Sequence, residues 1–115
     1  MTQLSTKKCQ PCEGKTKPLT RDEAQRFLTE TPGWELDSSA RKISRKFVMK
    51  NFLAAVNLIR KVADVAEADD HHPDVHLTRY RQLLIELSTH AVDGLSENDF
   101  ILAAKINELP AELKG

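Results

Sequence analysis

The stretch from residue 52 to 66 constrains this chain most. Phe52, Ala55, Val56, Ile59, Val62, Ala63 and Ala66 fall at helical spacing and make one apolar stripe along roughly four turns. A stripe of that length must be buried against a second layer, so the helix is central rather than free-standing. Asn51 stands where an N-cap is needed, with a side-chain oxygen for the first free backbone amides. At the other end the chain runs into Asp69-Asp70-His71-His72-Pro73, and Pro73 disfavours helical geometry at His72. The helix therefore ends in a polar loop that carries two imidazoles.

The flanking segments supply the other layer. Residues 1–18 are polar, closed by Pro18, and read as a flexible arm, with a single folded domain over 19–115. Thr20-Arg21-Asp22-Glu23 is a capping-box pattern opening a first helix through Ala24, Phe27 and Leu28, which Thr31-Pro32-Gly33 stops. Trp34 and Leu36 alternate as a short strand does, Asp37 to Ala40 supply a turn, and Ile43, Arg45 and Phe47 share a face of a second strand. Beyond Pro73 two further strands are expected, near Val75–Tyr80 and over Gln82–His90. In the latter Leu83, Ile85, Leu87 and Thr89 face one way; Gln82, Leu84, Glu86, Ser88 and His90 face the other. Val92-Asp93-Gly94 turns the chain and Ser96-Glu97-Asn98-Asp99 opens a closing helix through Phe100, Leu102, Ala103, Ala104 and Ile106. The order α-β-β-α-β-β-α predicts an α+β two-layer sandwich, a four-stranded antiparallel sheet with three helices on one face.

Composition narrows the function. A chain of 115 residues buries only about two-thirds of the surface it exposes when unfolded, so self-association is expected to help it. Seventeen basic and seventeen acidic residues cancel, which argues against a nucleic-acid binder, whose affinity needs a basic face. No apolar run approaches the ~20 residues of a membrane span, and the N-terminal residues lack the apolar stretch of a signal peptide. The expectation is a cytoplasmic protein. Cys9 and Cys12 form a C-x-x-C, a spacing found in redox pairs and half zinc sites. No strand precedes them to set up a redox helix, and tail thiols without catalytic duty are the simpler reading.

Three of the four histidines lie in the run from Glu67 to Pro73 and in its echo, Ser88-Thr89-His90. Imidazole titrates near neutrality, so the cluster either moves protons or holds a metal. A metal would draw on His71, His72, His76 and Asp70 or Asp74. Adjacent residues in extended chain point to opposite faces, however, and no H-E-x-x-H spacing is present. No metal or cofactor is therefore expected, and His76 reads as a surface or edge residue. His90 shares its strand face with polar residues, unlike a core histidine. Asp99 either caps the last helix or takes a proton from one nitrogen of His90, and the two roles are compatible.

Glu67-x-x-x-His71-His72-Pro73, an aromatic at Tyr80, Ser88-Thr89-His90 and Gly94-Leu95-Ser96-Glu97-x-Asp99 together resemble the pterin-4a-carbinolamine dehydratase family, also known as the dimerisation cofactor of homeodomain transcription factors. The likeness runs from about Leu19 to Asn107 and the order of elements agrees. The loop between Pro73 and Tyr80 and the Cys-x-x-Cys-Glu-Gly segment look like plant and bacterial members rather than animal ones. The resemblance implies that His71, His72 and His90 line the pterin pocket, two as acid and base and His72 as a binding or orienting group. It implies contacts to the pterin from Glu67, Asp70, Pro73, Tyr80, Ser88 and Thr89, and support of His90 by Asp99. It further implies a dehydratase of pterin recycling that turns a 4a-hydroxytetrahydropterin into quinonoid dihydropterin and water, with no metal or cofactor. A homodimer or homotetramer is implied too. The alternative within the family is a pterin-binding or oligomerising partner of a regulator, without catalysis.

Overall fold

The computed structural model describes residues 4–10 and 17–115. Helix α1 (Arg21–Leu28) starts at Thr20, whose hydroxyl accepts from the Glu23 amide while the Glu23 carboxylate accepts from the Thr20 amide at 2.9 Å. This is the reciprocal cap that Thr20-x-x-Glu23 predicts. Phe27 on α1 stacks on Phe100 of the last helix with ring centroids 5.1 Å apart, tying the two helices together. Gly33, at φ 90°, turns the chain out of α1, and a side chain there would crowd Arg45.

Strands β1 (Glu35–Leu36), β2 (Ile43–Val48), β3 (Asp74–Thr78) and β4 (Gln82–Leu87) form one antiparallel sheet in the order β1-β2-β4-β3. Ile43 and Phe47 of β2 and Leu83, Ile85 and Leu87 of β4 are buried, whereas their alternating neighbours are not. One sheet face is therefore apolar, and α1, α2 (Phe52–Asp69) and α3 (Glu97–Asn107) cover it. The architecture is the α+β two-layer sandwich that the pattern predicts.

Three details differ from the sequence reading. The strand expected to reach Tyr80 ends at Thr78, because Arg79 and Tyr80 both take positive φ in the hairpin turn. The strand expected to reach His90 ends at Leu87, and His90–Val92 form a 3-10 turn. On α2 the buried arc is Ala54, Ala55, Leu58, Val62 and Ala66, while Phe52, Val56 and Ala63 lie outside it. The cause is compositional: α2 carries apolar side chains around more of its circumference than the sheet and α3 cover, so periodicity alone does not fix which arc turns inward.

The segment read as a flexible arm also has defined structure where it is described. Leu4–Thr6 make a 3-10 turn against α3, and Leu4 and Cys9 are buried in the same apolar cluster as the sheet and helices. Cys12 lies outside the described residues. The C-terminal residues add a short pairing to the end of β2, through Met49 opposite Leu113. Among the described residues, no helix is long and apolar enough to cross a membrane.

Candidate active site

The end of α2 sets the site. Asp70 takes left-handed backbone angles (φ 50°, ψ 44°), and the amide of His71 bonds back to the Ala66 carbonyl at 3.1 Å. This is a Schellman closure with aspartate where glycine is commoner; a short polar side chain tolerates the left-handed well at modest cost. The closure folds His71 back over the helix end towards α3. There His71 Nε2 lies 2.7 Å from Asp99 Oδ1, with Asp99 fully buried.

Asp99 is placed by the start of α3. Its Oδ2 accepts the Ser96 amide at 3.0 Å, which is half of the cap foreseen in Ser96-x-x-Asp99, and also the Thr89 hydroxyl at 2.8 Å. The Thr89 hydroxyl has one proton and spends it on Asp99, so the Ser96 hydroxyl, 2.8 Å away, donates to Thr89. With the Ser96 amide and the Thr89 hydroxyl both donating to Oδ2, the carboxylate acts as an acceptor. The His71 nitrogen facing it then carries the hydrogen, and Nδ1 becomes the basic nitrogen of the neutral ring.

A cavity of about 670 Å³ opens beside this relay, in the range of small-ligand sites. His71, His72 and His90 line it, with Asp70, Ser88 and Thr89 between them. The three imidazoles that the sequence singles out are thus brought together, from the exit of α2 and the exit of β4. His72 bonds the Glu67 carboxylate at the exposed rim. The His90 ring is exposed and has no hydrogen-bond partner among the described residues.

Several expectations are corrected here. Asp99 holds His71, not His90. Burial keeps alternating to the end of this stretch, so Thr89, on the buried side with Leu83, Ile85 and Leu87, is the residue that reaches Asp99, while His90 stays on the exposed side. Tyr80 stands at the far end of the β3–β4 hairpin, roughly 20 Å of strand from Ser88, with its ring exposed under Arg81. Neither Tyr80 nor Pro73 is among the cavity's lining residues, and Glu67 meets it only through His72. His76 sits on edge strand β3, bonded to Glu86 at 2.7 Å, as a surface residue. Among the described residues, no three His, Cys, Asp or Glu side chains converge as a metal site would require.

Other lining residues lie outside the sequence reading: Lys8, Cys9 and Gln10 from the N-terminal segment, and Asp69 and Asn98 from the helices. Asp69 is buried and bonded to Lys105 of α3 at 2.6 Å. A partial signal for this pair exists, since Asp69 falls on the inward arc of α2 and a buried carboxylate needs a cation. Burial and the neighbouring Asp69 carboxylate push the Cys9 thiol up to about 12.

Residues 17–109 match the family model described as pterin 4 alpha carbinolamine dehydratase. A relative from Arabidopsis thaliana, pterin-4-alpha-carbinolamine dehydratase 2, mitochondrial, is 46% identical over 97% of this chain and 62% of its own length. A relative from Halorhodospira halophila, provisionally given the same dehydratase name, is 45% identical over 94% of this chain and 98% of its own. Among solved structures, a transcriptional coactivator/pterin dehydratase from Brucella melitensis superposes with a TM-score of 0.73 at 32% identity, covering 79% of this chain and 96% of that one. Family model, relatives and fold agree, and the chain belongs to the pterin-4a-carbinolamine dehydratase family of enzymes.

Proposed function

We propose that this chain dehydrates a 4a-hydroxytetrahydropterin to a quinonoid dihydropterin by acid–base catalysis between His71 and His90, as a step of pterin recycling. The observation that carries the reading is the His71–Asp99 pair at the wall of a cavity that His90 also lines. The reaction breaks the bond from C4a to its hydroxyl, removes the N5 proton and forms the C4a–N5 double bond. His71, held by Asp99 with Nδ1 basic, takes the N5 proton. His90 in its protonated form delivers a proton to the hydroxyl, so that water leaves instead of hydroxide. Help of this kind is typically worth about 10²–10⁴-fold.

His72, paired with Glu67 at the rim, orients the ring, and Asp70 and Ser88 supply polar contacts to its edge. Thr89 acts one step back: its hydroxyl is committed to Asp99, so it positions the relay. Association into a homodimer or homotetramer belongs to the same reading. It is supported by exposed Phe52, Leu53 and Val56 on α2 and by the free edge of β3.

The test is the dehydration rate of a freshly generated 4a-hydroxytetrahydropterin, followed by ultraviolet absorbance with and without chelator. Acceleration over the spontaneous reaction that survives chelation and is lost in His71→Ala and His90→Ala is the expected result. No acceleration by the parent chain would move the function to pterin binding or scaffolding, and unchanged rates in both variants would remove the assignment.

A further inference from the structure

Asp69 is the last residue of α2, a place where a carboxylate is poorly accommodated. The negative end of the helix dipole lies there, α2 has no basic residue in its last turn, and the Asp69 side chain is only 5% exposed. The cation comes from another element: Lys105 Nζ, in the last turn of α3, donates to Asp69 Oδ2 at 2.6 Å. The neighbouring turns of both helices bury apolar side chains, Val62 and Ala66 on α2 and Leu102 and Ile106 on α3. Two charges in such a setting give the fold little. Their desolvation roughly cancels their attraction, and apolar residues in their place are commonly neutral or stabilising. Stability therefore does not account for the pair.

Its position does. Immediately after Asp69 the chain takes the left-handed turn at Asp70, and the next residue, His71, bonds Asp99. Asp99 lies in the first turn of α3 and Lys105 in its last, so the exit of α2 is tied to α3 at two points about 9 Å apart along the axis. A single tie is a pivot. Two ties fix the direction in which the left-handed turn delivers the His71 ring.

We infer that the Asp69–Lys105 pair is a positioning strut of the active site, holding the exit of α2 so that His71 Nε2 meets Asp99 and the ring stays in one tautomer. Lys105 acts only through Asp69, and Asp69 acts through the backbone that joins it to His71. The inference rests on the dehydratase reading for its effect on turnover, and on the geometry alone for its effect on the imidazole. A reacting group displaced by about 1 Å can lose about 10²-fold in rate.

The test uses the full chain and the Asp69→Ala/Lys105→Met double variant, which removes both charges and keeps most of the lysine stem. Proton–nitrogen correlation spectra of the imidazoles at about pH 8, where an ordinary histidine is neutral, report the tautomer directly. The parent should show His71 as the single Nε2–H form. The double variant should show a mixture of both forms, a urea midpoint equal to the parent's or higher, and a kcat lower by about tenfold to 10²-fold. Asp69→Ala alone, which leaves the Lys105 ammonium on a flexible stem free to turn to water, should give the same mixture. A parent without the single form, or either variant that retains it, overturns the strut. So does a double variant whose urea midpoint falls well below the parent's, because the pair would then be a support of the fold. Turnover separates the two readings: a parent that does not accelerate dehydration removes the dehydratase, while the tautomer still decides the strut.

Discussion

Asp99 is wholly buried, and its two oxygens face a histidine, a hydroxyl and a backbone amide. In the proposed reaction this arrangement keeps His71 in one tautomer. Asp99→Asn should therefore lower kcat by about 10²-fold, a loss on the scale of the general-base contribution itself. It should also alter the acidic limb of the pH–rate profile, where the base His71 becomes protonated, which a purely structural substitution would leave in place. Thr89→Val should reduce kcat less, because the Ser96 amide still holds Asp99. Cys9 gives a residue-scale prediction of a different kind. Its thiol is raised from 9.0 to about 12, chiefly by burial, so almost no thiolate forms near neutrality and alkylation must be slow. Peptide mass spectrometry after iodoacetamide treatment at pH 8 should find Cys9 unlabelled in native protein and labelled in urea. The sign for stability follows from the raised value: the contribution is complete below about pH 9 and is lost as pH climbs towards 12.

Helix α2 shows how an element can be obvious in sequence and still ambiguous in orientation. Its cap at Asn51, accepting the Ala54 amide at 2.8 Å, and its length are both legible. The apolar stripe read from the sequence includes Val56, yet the structure buries Leu58 to 1% exposure and leaves Val56 at 40%. Leu58→Ala should cost about 2–5 kcal/mol, the usual range for emptying a packed site. Val56→Ala should cost less than about 1 kcal/mol of fold stability by urea unfolding of the dissociated chain. Equal losses would mean that the helix is rotated from its present position. At its other end, Asp70→Gly keeps the left-handed closure and removes only the carboxylate. A rise in KM without loss of stability would assign that carboxylate to substrate.

Across the whole molecule the balance of charges hides local asymmetry. Burial opposes ionisation of Asp37 and Glu86, but hydrogen bonds more than offset it. Asp37 accepts from the Ser39 hydroxyl and the Arg41 and Lys42 amides, and Glu86 accepts from Lys42 and His76. Both groups are held below their ordinary values, so their stabilisation is present above about pH 4.5 and is lost as pH falls through the folded-state values. The urea midpoint should be flat between about pH 5 and pH 9 and fall below about pH 4. The apolar surface that α2 leaves open should appear in solution as association. Sedimentation should detect a dimer or tetramer in the parent and a smaller species in Phe52→Asp. A monomeric parent would remove the oligomer from the proposed function.

The elements were readable because local physics dictates them. Thr20-x-x-Glu23 and Asn51 cap their helices through contacts within three residues, and alternation from Leu83 to Leu87 follows from strand geometry. The residue types of the site were readable too, as a run of imidazoles beside acids. What sequence left open is every relation that depends on one element meeting another. Asp99 lies nine residues from His90 in sequence, but the turn after β4 hands it to His71, 28 residues away. Tyr80 belongs to the same motif set as the histidines and stands at the opposite end of the hairpin. Residues 4–10 look like a polar tail because only Leu4 and Cys9 are apolar, yet those two suffice to seat the segment on α3 beside the site. Local spacing determines helices, strands and caps; which imidazole receives the carboxylate, and what closes the cavity, is decided by tertiary packing, since those contacts join residues distant along the chain.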